Sequence, residues 1–150
     1  MSKRAAFDRL SDVRGELDSA QFALSYTIRH VDTRLDALQE AGRGGISQSE
    51  LVRCRNKLEI NYILRLFSEF EAAVRSYWAS EVRRTRPTMK ILMDRVADRL
   101  RMSPSHLAAA HAIREYRNDV IHQNPGSLAH TFGECARALG IYLNWLPQNW

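Results

Sequence analysis

Leu10, Leu17, Leu24, Val31 and Leu38 recur at every seventh position, and Phe7, Val13, Ala20, Ile28 and Leu35 widen the same stripe. A repeat of that period lines apolar side chains along one side of a helix packed lengthwise on another. The spacing predicts a first helix from about Ala5 to Ala41, broken by Gly42-Arg43-Gly44-Gly45. Ser47-Gln48-Ser49-Glu50 has the form of a capping box, in which the serine hydroxyl and the glutamate each satisfy a free amide at the helix start. A second stripe follows through Leu51, Cys54, Leu58, Tyr62, Leu66, Phe70, Val74 and Tyr77, with Ile63, Phe67 and Trp78 beside it. It predicts a helix to about Val82. Two long helices joined by a short glycine-rich turn form an antiparallel hairpin.

Beyond Pro87 a shorter helix, Met89 to Arg101, is expected to bury Ile91, Leu92, Val96 and Leu100. Ser103-Pro104 is a start signal, a capping residue followed by proline at the first helical position. The helix it opens carries Leu107, Ala110, Ile113, Tyr116 and Val120 and stops near Gln123, because Asn124 precedes Pro125 and resists helical geometry. Ser127 is expected to cap a last helix running through Phe132, Cys135, Leu139, Tyr142 and Trp145 to Pro147. There is no repeat, low-complexity tract or alternating strand pattern. The pattern defines an all-α antiparallel bundle of about five helices, one domain over residues 1–150, with a long N-terminal helical hairpin.

Composition narrows the class without naming a function. A chain of 150 residues, 45% hydrophobic and 26% charged, is of ordinary globular make-up. It has no apolar run long enough for a bilayer and no apolar leader at its start, so a cytoplasmic protein without membrane contact is expected. Cys54 and Cys135 both fall in apolar helical patterns and are expected to be reduced core residues. His106 and His111 are five apart, not the four that shares a helical face, and no zinc-type spacing occurs, so no metal or other cofactor is expected. The net charge of +5 mildly favours a polyanionic partner. Arg83, Arg84, Arg86, Lys90, Arg95, Arg99 and Arg101 crowd against Glu81, Asp94 and Asp98. That run reads as a solvated, locally paired helix face, with a nucleic-acid surface as the alternative.

The candidate chemistry lies in Arg117-Asn118-Asp119-Val120-Ile121-His122. A guanidinium holds phosphate through a planar fork, and an imidazole moves a proton near neutral pH. On an ideal helix Arg117 and His122 point about 140° apart, whereas Asn118 and His122 share a face with Arg114 on its flank. A working pocket therefore needs a bent helix end, a reaching arginine or a second copy of the chain.

Arg117-Asn118 followed by His122 resembles the Arg-x4-His motif of the HEPN superfamily in its Arg-Asn-x3-His form. The layout of a long hairpin, a short helix, a motif helix and a closing helix is similar over most of the chain. The segment from Ile63 to Glu71 looks like the aromatic-rich second helix of such domains. The resemblance implies a metal-independent endoribonuclease of the toxin or antiviral-defence type, cutting RNA by attack of a 2′-hydroxyl on the adjacent phosphorus. In that reading Arg117 binds the scissile phosphate, His122 is the general acid/base and Asn118 orients the histidine or the phosphate. Arg114 and Glu71 assist in binding substrate, with Glu69 as an alternative to Glu71. The implied partners are RNA, a second copy forming a homodimer, and an antitoxin protein. Members paired with a nucleotidyltransferase antitoxin carry a tyrosine two places after the histidine. Asn124 stands there, so modification at that position is not expected. The competing reading is a non-catalytic HEPN-like module for dimerisation or for nucleotide or partner binding.

Overall fold

The computed structural model describes residues 1–30, 47–81, 85–122 and 130–150. Helix α1 (Lys3–His30) buries Ala6, Leu10, Val13 and Leu17, the first half of the predicted stripe. Its predicted continuation through Val31, Leu35 and Leu38 lies outside the described residues. Helix α2 (Gln48–Glu81) runs antiparallel to it: Arg9 reaches Glu69 at 3.5 Å and Arg65 pairs with Glu16 nearer the far end. The capping box forms as expected, with Ser47 N–H donating to Glu50 Oε2 at 2.8 Å and Glu50 N–H to Ser47 Oγ at 3.3 Å.

Three shorter helices close the bundle: α3 (Met89–Leu100), α4 (Pro104–Ile121) and α5 (Phe132–Asn144). The fold is all-α, and the described residues contain no strand beyond an isolated antiparallel bridge between Ser2 and Asn149. Helix α3 stops on Arg101, which takes a left-handed conformation (φ 52°). There its N–H reaches Asp98 O and that of Met102 reaches Ala97 O, the helix-ending pattern usually given to glycine. The core gathers Leu66, Phe67, Phe70, Val74 and Tyr77 of α2 against Leu92, Met93 and Val96 of α3, with Leu139, Tyr142 and Leu143 of α5.

Several expectations from the pattern are corrected. Cys54 is exposed, while Cys135 is buried; the stripe of α2 reaches the core only from Leu58 onward, with Leu51 buried on its own at the outer end. Ile91 and Trp145 are exposed, and Met93 takes the core place that Ile91 was expected to fill. The last helix starts at Phe132 under a Thr131 cap, with Glu134 accepting from Thr131 N–H at 2.8 Å; Ser127 lies outside the described residues. Trp150, which the pattern leaves without a role, donates from Nε1 to Ser76 Oγ and packs edge-on to Tyr77.

The two thiols differ in reactivity as they differ in burial. Burial, with Glu134 and Glu59 nearby, pushes the Cys135 thiol up to about 12. Thiolate is the reacting form, so under native conditions at mildly alkaline pH iodoacetamide is expected to label Cys54 alone. Mass spectrometry should find the second adduct only after denaturant is added.

Candidate functional site

Helix α4 presents the motif in its last two turns. Arg117 and Asn118 are half-buried, Asp119 is exposed, and His122 is the exposed residue that ends the helix at φ −82°, ψ 10°. Arg117 leaves the helix toward α2, where its guanidinium carbon lies 5.5 Å from the centre of the Phe67 ring. Its Nη1 donates to Asn118 Oδ1 at 3.0 Å. A planar cation lying on an aromatic face is held without being neutralised. Among the described residues Arg117 forms no ion pair, and neither does Asp119, the acid available for one locally. Most of the five N–H donors of the guanidinium therefore remain for an acceptor from outside.

Asn118 links the two motif residues. Its side-chain oxygen holds Arg117, and its backbone carbonyl accepts the His122 N–H at 3.0 Å. The second of these bonds continues the helical pattern through His122, so the imidazole and the guanidinium leave α4 in different directions, as the helical repeat requires.

Arg114 and Glu71 have other attachments. The Arg114 side chain is largely buried and donates from Nη2 to Glu115 at 3.0 Å and from Nε to His111 Nδ1 at 3.4 Å. An arginine only donates, so Nδ1 of His111 is the accepting nitrogen. Nε2–H then donates to Asp94 Oδ1 at 2.7 Å, tying α4 to α3. Glu71 pairs with Arg75 one turn along α2 at 2.7 Å, and Arg75 also donates to Pro87 O. Glu69 faces Arg9.

Other features near the motif carry no obvious sequence signal. Glu59 of α2 accepts the Phe132 N–H at 2.7 Å, fixing the start of α5 beside the hairpin. The Tyr116 hydroxyl is buried with no hydrogen-bond partner among the described residues, and its ring meets His130 edge-on. Burial raises the pKa of that phenol, and Cys135 and Glu59 add to the effect. The Tyr142 hydroxyl, by contrast, donates to Met93 O at 2.9 Å. The pair yields opposite expected outcomes. Tyr116→Phe removes an unmatched polar atom and should stabilise by about 1 kcal/mol, whereas Tyr142→Phe should cost about 1 kcal/mol; urea unfolding of the two variants measures the difference in sign.

Open cavities lie elsewhere. One of about 760 Å³ runs along the hairpin past Asp12, Glu16 and Tyr62. Another of about 710 Å³ is bounded by Arg75, Trp78, Arg86 and Pro87. Among the described residues no three His, Cys, Asp or Glu side chains gather as metal ligands would, and no helix is long and apolar enough to cross a membrane. No family model, no curated protein and no solved structure matches the chain.

Proposed function

We propose that the chain is a metal-independent endoribonuclease of HEPN type that cuts RNA by 2′-hydroxyl transesterification. The observation that carries this reading is the arrangement around Asn118: a guanidinium that has no ion pair among the described residues, steadied on Phe67 and bonded to the Asn118 side chain, and an exposed imidazole at the helix end on a residue whose backbone N–H donates to the Asn118 carbonyl. Arg117 supplies fixed positive charge where the phosphorane develops its own negative charge. His122 exchanges a proton with the attacking or leaving oxygen. Arg114 and Glu71 are already engaged within the chain, so the chemistry is assigned to Arg117 and His122 with Asn118 as the positioning residue.

Because one straight helix end sends the two groups apart, the proposed pocket combines Arg117 of one copy with His122 of a second across a two-fold axis. Two partners, a homodimer and an antitoxin protein, belong to this proposal. The test is RNA degradation in EDTA by wild type, Arg117→Ala and His122→Ala proteins. A wild type that binds RNA or nucleotide but cuts nothing is the non-catalytic module instead.

A further inference from the structure

The outer half of the α1–α2 pair carries a surface that the proposed cleavage does not use. Phe22 and Tyr26 stand 69% and 56% exposed on α1. Their ring centres are 6.5 Å apart, and Tyr26 lies 4.2 Å from the His30 ring, which donates from Nδ1 to the Tyr26 carbonyl at 2.7 Å. Spacing by four residues sets the three rings in a row on successive turns. Large rings normally sit in cores or interfaces, so the exposure of Phe22 and Tyr26 marks a contact surface.

Among the described residues, cations outnumber acids around this row. Arg29, Arg53, Arg55 and Lys57 are exposed, and none forms an ion pair with a described residue. Of the described acids here, Glu50 accepts the Ser47 N–H and also lies within reach of the Arg53 charge, Glu59 accepts the Phe132 N–H, and exposed Asp18 stands one turn before Phe22. Arg55 and Asn56 also line a recess of about 290 Å³ between the helices with Gln21, Ser25 and Glu59.

We infer that this half of the hairpin is a platform for single-stranded RNA, with bases stacking on Phe22 and Tyr26 and phosphates drawn to the four cations. Unpaired bases offer faces that a duplex hides, and stacking on aromatic side chains with a cationic track beside it is how single strands are held without sequence preference. A second copy of the chain fits less well. In a two-fold contact the same patch meets itself, which sets these cations against their own kind. The choice of RNA rests on the proposed cleavage; the stacking and the charge do not.

The test is fluorescence anisotropy with a short labelled oligouridylate and, for comparison, duplex RNA of the same length. It is run in EDTA with the His122→Ala protein as parent, so that cutting does not interfere. Phe22→Ala/Tyr26→Ala in that parent is expected to weaken oligouridylate binding by about tenfold or more, with duplex binding little changed and the thermal melt preserved. Arg53→Ala/Arg55→Ala/Lys57→Ala is expected to lower the slope of log affinity against log salt by about two. Unchanged oligouridylate affinity in the ring variant overturns the inference. So does a parent dimer that the ring variant converts to monomer with RNA affinity intact, since the rings would then face a second copy. Ring-dependent binding by a wild type that never cleaves upholds the platform and removes the nuclease; cleavage with ring-independent binding does the reverse.

Discussion

Replacement of His122 by alanine is expected to slow RNA cleavage in EDTA by about 100- to 10,000-fold, the range that a positioned general acid/base supplies. The residue is exposed at a helix end, where substitutions rarely move stability by more than about 0.5 kcal/mol. Loss of activity with an unchanged melt would therefore report chemistry. Arg117→Ala is expected to cost about 100- to 1,000-fold through lost charge stabilisation. Arg117→Lys should not rescue it, because an ammonium neither lies flat on Phe67 nor forks onto phosphate. The double variant should be scarcely worse than the poorer single one, since groups that act as a unit are not additive. Cleavage that survives both single substitutions would belong to another protein and would remove the nuclease reading.

The same two variants test where the pocket forms. If each site takes Arg117 from one copy and His122 from the other, an equal mixture of the single variants contains mixed dimers in half of the population. Each mixed dimer has one complete site of two, so activity should recover to about a quarter of wild type. A pocket built within one chain predicts no recovery at any mixing ratio.

The helices were legible because each buries a face at helical period, and Leu10, Leu17, Leu66, Phe70, Leu139 and Tyr142 lie in the core where that period puts them. The errors share a cause: periodicity marks a face but not how far along it a neighbouring helix extends. Cys54 continues the stripe of α2 beyond the region where the bundle covers it. Ile91 and Trp145 sit at the margins of their stripes and face water. The start of α5 was legible in principle, since Thr131-Phe132-Gly133-Glu134 is itself a capping box. At the candidate site, the sequence names Arg117, Asn118 and His122 and even their angular separation. It does not name Phe67 as the ring that steadies Arg117, because that contact joins residues fifty positions apart on different helices. Nor does it reveal that Arg114 is turned to His111 and Glu115, since local spacing is equally compatible with an outward guanidinium.

The largest expected effect on stability follows from the packing beneath that site. Phe70→Ala should cost about 3–5 kcal/mol, the usual range for emptying a fully buried phenylalanine position. The ring has no exposed area, meets Tyr142 edge-on at 5.2 Å and lies 5.6 Å from Phe67. Tyr142 is tied in turn to Met93 O, so one side chain braces α2, α5 and α3 together. With a total stability of about 5–15 kcal/mol for a domain and a urea dependence of about 1–3 kcal/mol per molar, the unfolding midpoint should fall by roughly 2 M. Exposed Ile91 is the control: Ile91→Ala should shift the midpoint little, within about 0.5 kcal/mol. A Phe70→Ala protein that unfolds within 1 kcal/mol of wild type would mean that α2 does not pack on α5 through this ring. The support for Phe67, and with it the seat of the Arg117 guanidinium, would then have to be sought elsewhere.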